Sequence, residues 1–229
     1  MPFSLDQVVP WGRSFDEYVR MFALTEVDLG RRILGCADGP AAFNAELTGR
    51  GGTITSCDPL YQFSAAEIED RIDACFETVL EQTRANQDGF VWSDAIPTVE
   101  ALGQVRRQAM QTFLKDFEAG KQQQRYVPAE LPELPFPDGA FDLALCSHFL
   151  FLYPSLGRAF HVESVVNLLR VASEVRIFPL LQLDRQRSPF VEEVIGEVTS
   201  LGHVAEVVRV PYEFQKGADE MLVITDVPG

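Results

Sequence analysis

Short apolar runs alternate with longer stretches of helical spacing along most of the chain. Ile33-Leu34 reads as a buried strand that enters the small-residue loop Gly35-Cys36-Ala37-Asp38-Gly39. Pro40 fits the first turn of the next helix, where a missing N–H costs nothing. Ala41, Phe43, Ala45, Glu46 and Leu47 continue that helix to a stop at Gly49-Arg50-Gly51-Gly52. Thr53-Ile54-Thr55-Ser56-Cys57 is β-branched and alternating, which predicts a strand. Asp58 stands just past its end, about 20 residues after the loop, the spacing of a nucleoside site: backbone approach at the turn, then a carboxylate for ribose hydroxyls.

Residues 1–30 precede this unit as a helical lead. Ser14 and Glu17 have capping-box spacing, and Phe15, Tyr18 and Phe22 share one helix face. A lead of this kind packs on a sheet or closes over a pocket, with Trp11, Arg13 and Tyr18 placed to reach a ligand. After Asp58-Pro59-Leu60-Tyr61 the alternation breaks off, and residues 62–124 read as a helical insertion. Ser64 and Glu67 form a second capping box ahead of Ile68, Ile72, Cys75, Phe76, Val79 and Leu80. Asn86 to Gly89 stops that helix. Pro97 opens another, in which Leu102, Val105, Met110, Phe113, Leu114 and Phe117 form a stripe ended by Gly120. The insertion leaves from a strand's carboxyl end, so it belongs above the sheet, as a cap or an interface, within a single domain spanning 1–229.

Arg125-Tyr126-Val127, Phe141 to Cys146 and Glu174 to Leu181 read as further strands. A helix lies near 156–171, and another follows Ser188-Pro189 and closes at Gly202. Val207 to Val210 and Met221 to Ile224 are joined by about ten residues, too few for a helical crossover, so they pair antiparallel. The fold class is α/β: a Rossmann-like, mostly parallel seven-stranded sheet with an antiparallel C-terminal hairpin and helices on both faces.

Composition narrows the function. The 229 residues are 46% hydrophobic, enough for a full core, and the formal charge is −15. That charge disfavours a nonspecific grip on nucleic acid phosphates or an anionic membrane. No run approaches the ~20 apolar residues of a membrane span. The start, MPFSLDQVVPW, has neither a basic region nor an apolar one, and a cytoplasmic location is expected. Cys36, Cys57, Cys75 and Cys146 form no paired motif, and the three histidines are too scattered for zinc, so no metal is expected. A small-molecule substrate is the expected partner, and a homodimer is compatible with the insertion.

Three stretches carry a resemblance to the class I S-adenosylmethionine (SAM) dependent methyltransferases. ILGCADGPAAF stands in place of the glycine-rich first motif, SCDPLY supplies the acid after the second strand, and LPELPFPDGAFDLALCSHFLF resembles the turn leading into the fourth strand. The first motif is degenerate: the acid position holds Gly35, and the glycine positions hold Ala37, Gly39 and Ala41. The resemblance implies that Gly35, Cys36, Ala37, Asp38 and Gly39 line the methionine and ribose portion of SAM. Asp58 would accept from the ribose hydroxyls, and Pro59 and Leu60 would pack on adenine. Glu130 or Leu131 would meet the adenine amine, and Cys146, Ser147 and His148 would lie beside the transferable methyl. His148 is the candidate base. Tyr18, Trp92, Arg125 and Tyr153 are acceptor-contact candidates.

The expected activity is methyl transfer from SAM, with S-adenosylhomocysteine as product. The alternative is a non-catalytic nucleoside-binding relative. A nicotinamide dinucleotide is disfavoured because Asp38 would set a negative charge where its pyrophosphate must rest on the helix N-terminus.

Overall fold

In the computed structural model, residues 9–227 are described. The first eight residues of the expected lead lie outside them. The strands are β1 (Arg32–Cys36), β2 (Thr53–Cys57), β3 (Tyr126–Val127), β4 (Leu143–Ser147), β5 (Glu174–Phe178), β6 (His203–Arg209) and β7 (Glu220–Asp226). They form one sheet in the order β3-β2-β1-β4-β5-β7-β6. β1 through β5 pair in parallel, while β7 runs antiparallel to both β5 and β6. This is the Rossmann-like sheet with an antiparallel C-terminal hairpin that the sequence predicts.

The helices are α1 (Phe15–Met21), α2 (Glu26–Leu29), α3 (Phe43–Gly49), α4 (Ala65–Ala85), α5 (Val99–Gln122), α6 (Gly157–Val171) and α7 (Val191–Ser200). The twofold period of the strands divides their side chains between two cores. Ile33, Leu143 and Leu145 point to one face and pack with Phe15, Tyr18 and Phe22 of α1 and Phe43 and Leu47 of α3. Leu34, Ala144 and Cys146 point to the other and meet Val165 and Leu168 of α6 and Val194 and Val198 of α7. With both faces covered, β4 is buried at every position.

Between β2 and β3 the chain runs through α4 and α5. α5 packs against α3 and β3, so it is the crossover between the two strands, and α4 packs against α5. Ile68, Ile72 and Phe76 of α4 share a third core with Met110, Phe113 and Phe117 of α5.

Three local expectations are corrected. Pro40 lies in a turn, and α3 begins only at Phe43. Ala37 and Gly39 take φ of 57° and 53°, so the chain is still reversing direction there and cannot yet be helical. Gly120 does not stop α5, which runs on to Gln122. A Cβ at Gly120 would lie 2.4 Å from the Tyr126 ring, so that glycine admits β3 rather than ending the helix. Ser188 does not cap α7. Its N–H bonds to Leu180 O, and its buried Oγ finds no partner among the described residues.

One buried polar cluster joins α1, α5 and the β6–β7 connection. Arg106 is fully buried and Glu17 is 1% exposed. Both Arg106 Nη atoms donate to the Glu17 carboxylate. Tyr212 Oη also donates to Glu17, at 2.9 Å, and the Ser14 N–H and hydroxyl donate to it at 3.0 Å each. Burial alone would raise the Glu17 pKa, but the charge and hydrogen bonds of Arg106 bring it down to about 2. Removing one partner strands a charge in the core. Arg106→Met should therefore lower unfolding stability in urea by about 3–5 kcal/mol. The double variant Arg106→Met, Glu17→Gln should recover part of that loss, because no bare carboxylate then remains.

Candidate functional site

A cavity of about 1020 Å³ opens at the carboxyl ends of β1, β2 and β4. Its floor is the β1–α3 loop. Ala37 N–H bonds to Cys57 O at 2.9 Å, which ties that loop to β2. The Gly39 peptide is gripped on both sides. Its N–H donates to Asp58 Oδ2 at 2.9 Å, and its carbonyl accepts from Tyr61 Oη at 2.8 Å. Asp58 Oδ1 takes the Leu60 N–H at 2.8 Å and so caps the turn after β2. Each carboxylate oxygen of Asp58 is thus used once and keeps acceptor capacity on the cavity side. Burial raises the Asp58 pKa, the Leu60 and Gly39 N–H groups oppose the rise, and the Glu130 charge adds to it.

Asp38 turns away from the loop's solvent side and into the protein. Its Oδ1 accepts from Tyr18 Oη at 2.8 Å, and its Oδ2 from Ser56 Oγ at 2.6 Å. A Cβ placed on Gly35 would lie 1.8 Å from Asp38 Oδ2. The Asp38 carboxylate therefore occupies the space that a side chain at position 35 would fill. This accounts for the glycine there and puts a carboxylate at the end of β1 by another route. Burial pushes the Asp38 pKa up to about 6. Ser56 and Tyr18 restrain the shift, and the charge of Asp58 adds to it. Ala37 carries a cost of about 1 kcal/mol for its left-handed backbone, the penalty expected where alanine replaces glycine.

The opposite wall begins at the end of β4. His148 takes φ of 50° and donates its N–H to Phe178 O at 2.7 Å. Its Nδ1 lies 3.1 Å from Ser147 Oγ, and its ring meets Phe178 edge-on at 5.3 Å. Burial, followed by the charges of Arg13 and Arg106, holds the His148 pKa well below its usual value, so the imidazole is neutral near pH 7. Phe149, Leu152 and Phe160 extend this wall in apolar form. Above it, the α4–α5 and β6–β7 connections are joined: Val91 N–H bonds to Phe214 O at 2.7 Å, and Lys216 N–H to Gly89 O at 3.0 Å.

Most of the site residues predicted from sequence converge here. Cys36, Ala37, Asp38 and Gly39 line the cavity, as do Asp58, Pro59 and Leu60. Glu130 and Leu131 flank the same end, and Ser147, His148, Tyr18 and Tyr153 reach it from the other. Four do not line it. Gly35 underlies Asp38, and Cys146 is fully buried in the sheet. Trp92 donates to Gln87 O and packs on Phe214, outside the cavity. Arg125 is engaged by both oxygens of Asp116 and by Asn44, away from the cavity. Sequence reasoning missed Ser56, Tyr61, Arg106 and Tyr212. Arg106 alone left a signal: it falls between Leu102 and Met110 at helical spacing, on the apolar stripe. Among the described residues, no group of histidines, cysteines and carboxylates could hold a metal ion.

The sheet order, the reversed last strand and a cavity built on the ends of β1, β2 and β4 define the class I methyltransferase fold. No protein-family model matches the chain. It belongs to the same family as the uncharacterized protein MJ0045 of Methanocaldococcus jannaschii, with 34% identity over 223 residues, covering 96% of this chain and 97% of that protein. Among solved structures it is similar to a SAM dependent methyltransferase from Aquifex aeolicus, at 14% identity and a TM-score of 0.43 over 92% of this chain and 87% of that one. It is also similar to an O-methyltransferase family protein from Burkholderia thailandensis, at 12% identity and a TM-score of 0.49 over 93% of this chain and 56% of that one. No helix among the described residues is long and apolar enough to cross a membrane.

Two outcomes follow from the Asp38 geometry. Gly35→Ala should cost about 1–3 kcal/mol by overpacking. In an Asp38→Ala background most of that penalty should vanish, read as the coupling term of a double-mutant cycle in chemical denaturation. The second outcome is a pH effect. A carboxyl whose folded pKa is raised contributes stability that is fully present below its unfolded pKa of about 3.9 and is lost as pH rises through about 6. Between pH 4 and pH 7 the wild type should therefore lose about 2 kcal/mol relative to Asp38→Asn. Parallel pH–stability curves for the two proteins would contradict this.

Proposed function

We propose that the protein is a SAM-dependent methyltransferase that acts on a small-molecule acceptor by direct in-line transfer. The observation that carries this reading is the paired-acceptor carboxylate of Asp58, held against the Gly39 peptide on the floor of a cavity that extends to His148. The residues present fit the cofactor. Asp58 would take the ribose hydroxyls, with Pro59 and Leu60 giving an apolar surface for adenine and Glu130 and Leu131 bounding it. The Asp38 carboxylate suits a cationic amino acid end, and no phosphate has to share its neighbourhood.

Bound SAM supplies a methyl group already activated on a sulfonium, so the protein's work is to orient, desolvate and manage protons. The apolar side chains of Phe149, Leu152 and Phe160 would offer an acceptor a surface poor in hydrogen-bonding groups. His148 is neutral and makes no Nε2 hydrogen bond among the described residues, so Nε2 is open to a hydrogen bond with an acceptor hydroxyl or amine, while the lowered pKa disfavours holding a proton there before the methyl moves. The left-handed backbone of Ala37 and His148, at the ends of adjacent strands, favours a functional reading of this floor, since such conformations gather at active sites.

The non-catalytic alternative drew its force from the missing acid at position 35. The Asp38 carboxylate in that space weakens it. Isothermal titration with S-adenosylhomocysteine tests the proposal. The wild type should bind, and Asp58→Ala should weaken binding on the order of a hundredfold, because two charge-assisted hydrogen bonds are lost. Absence of heat and of any thermal shift at millimolar ligand would overturn the reading. Binding without released S-adenosylhomocysteine in any acceptor extract would return the non-catalytic alternative.

A further inference from the structure

The charges clustered around Glu17 at one side of the cavity do not balance. Glu17 brings one negative charge and Arg106 one positive, and the two satisfy each other. Arg13 stands beside them as a second cation. Its backbone is fixed, because Arg13 O accepts the Ala42 N–H at 2.9 Å from the start of α3. Its Nη1 donates only to Trp11 O, at 3.3 Å. Its Nε is buried and has no partner among the described residues. No described carboxylate pairs with it. The Glu17 oxygens are taken by Arg106, Tyr212 and Ser14, and those of Asp38 by Tyr18 and Ser56.

This arginine lines the cavity. Burial lowers its pKa, and the Arg106 charge lowers it further, so the charged form is held there at a cost. Its charge acts on His148 and Tyr153, which line the same cavity. A guanidinium presents five donors in a flat fork that matches a carboxylate. In a chain with a net charge of −15, a guanidinium that lines the cavity without a carboxylate partner is matched by an anion brought by the ligand.

We propose that Arg13 is the carboxylate-binding residue of this cavity, completing its unpaired guanidinium with an oxyanion carried by a ligand. The inference builds on the methyltransferase reading for its two sources of a carboxylate: the amino acid end of the cofactor, or an acceptor that is itself a carboxylic acid with an apolar body. The chemistry at Arg13 is the same in both.

Two binding arms on the intact protein separate the sources. The first titrates S-adenosylhomocysteine and 5′-methylthioadenosine, which share the nucleoside and sulfur but differ in the amino acid end. The second titrates benzoate against its neutral isostere benzamide, followed by Trp11 fluorescence in the Trp92→Phe background. Each arm compares wild type with Arg13→Gln and Arg13→Lys. If the cofactor supplies the carboxylate, Arg13→Gln weakens S-adenosylhomocysteine by about ten- to hundredfold and leaves 5′-methylthioadenosine unchanged. If the acceptor supplies it, both nucleosides bind Arg13→Gln as they bind wild type, while the preference for benzoate over benzamide disappears. Partial retention in Arg13→Lys supports a charge role in either case. Equal behaviour of wild type and Arg13→Gln in both arms overturns the proposal. A wild type that binds neither nucleoside but still prefers benzoate overturns the methyltransferase reading and leaves the Arg13 assignment standing.

Discussion

The carboxylate of Asp38 is largely buried and pairs with no cation among the described residues. Only two hydroxyls, from Tyr18 and Ser56, stand against its desolvation. Several other features follow from that constraint. Position 35 has to be glycine, because any Cβ would strike the carboxylate. α1 has to dock where its tyrosine can reach across to the loop, which fixes the N-terminal lead on the sheet. The loop itself must turn sharply enough to send Asp38 inward, and it does so through left-handed residues at Ala37 and Gly39. A glycine-rich loop reaches its shape through permissive backbone. Here the shape is imposed from outside, by side chains of α1, β2 and the turn after β2.

That difference lets a loop that departs from the glycine pattern still hold a defined turn, fixed at Ala37, Asp38 and Gly39 by side chains of other elements. Glycines at the expected positions are a local signal and can be read from spacing. A polar clamp is a tertiary one: Tyr61 and Ser56 act on the loop from elements that the sequence places correctly but whose side-chain targets it does not disclose. The order of elements was legible because the twofold and 3.6-residue periods are strong in the strands and in α4 and α5. The antiparallel hairpin was legible from the length of a connection. Helix starts were less so. Pro40 and Ser188 have the chemistry of helix openings, but backbone hydrogen bonds elsewhere decided where α3 and α7 begin.

Among the candidate ligand contacts, most of those that follow a strand end line the cavity, whereas Trp92 and Arg125 do not. Strand ends are placed by the sheet, whose order follows from the pattern. Trp92 and Arg125 lie where helix packing decides orientation, and each found a closer partner than the cavity, in Gln87 O and in Asp116. Arg106 shows the opposite case. Its phase on the apolar stripe marked it as buried, but the partner that makes burial tolerable lies 89 residues away in sequence.

The Glu17 cluster has a consequence for the order in which the molecule is made. Glu17 meets Arg106 across 89 residues and Tyr212 across 195. A chain emerging from synthesis exposes Glu17 early, gains its counter-charge midway, and finds its last hydrogen-bond donor only when nearly all of the sequence is available. Contacts of such separation form late, after loop closure has been offset by the rest of the sheet. A chain halted short of Tyr212 contains every parallel strand, β1 to β5, but lacks the hydroxyl that donates to Glu17 of α1.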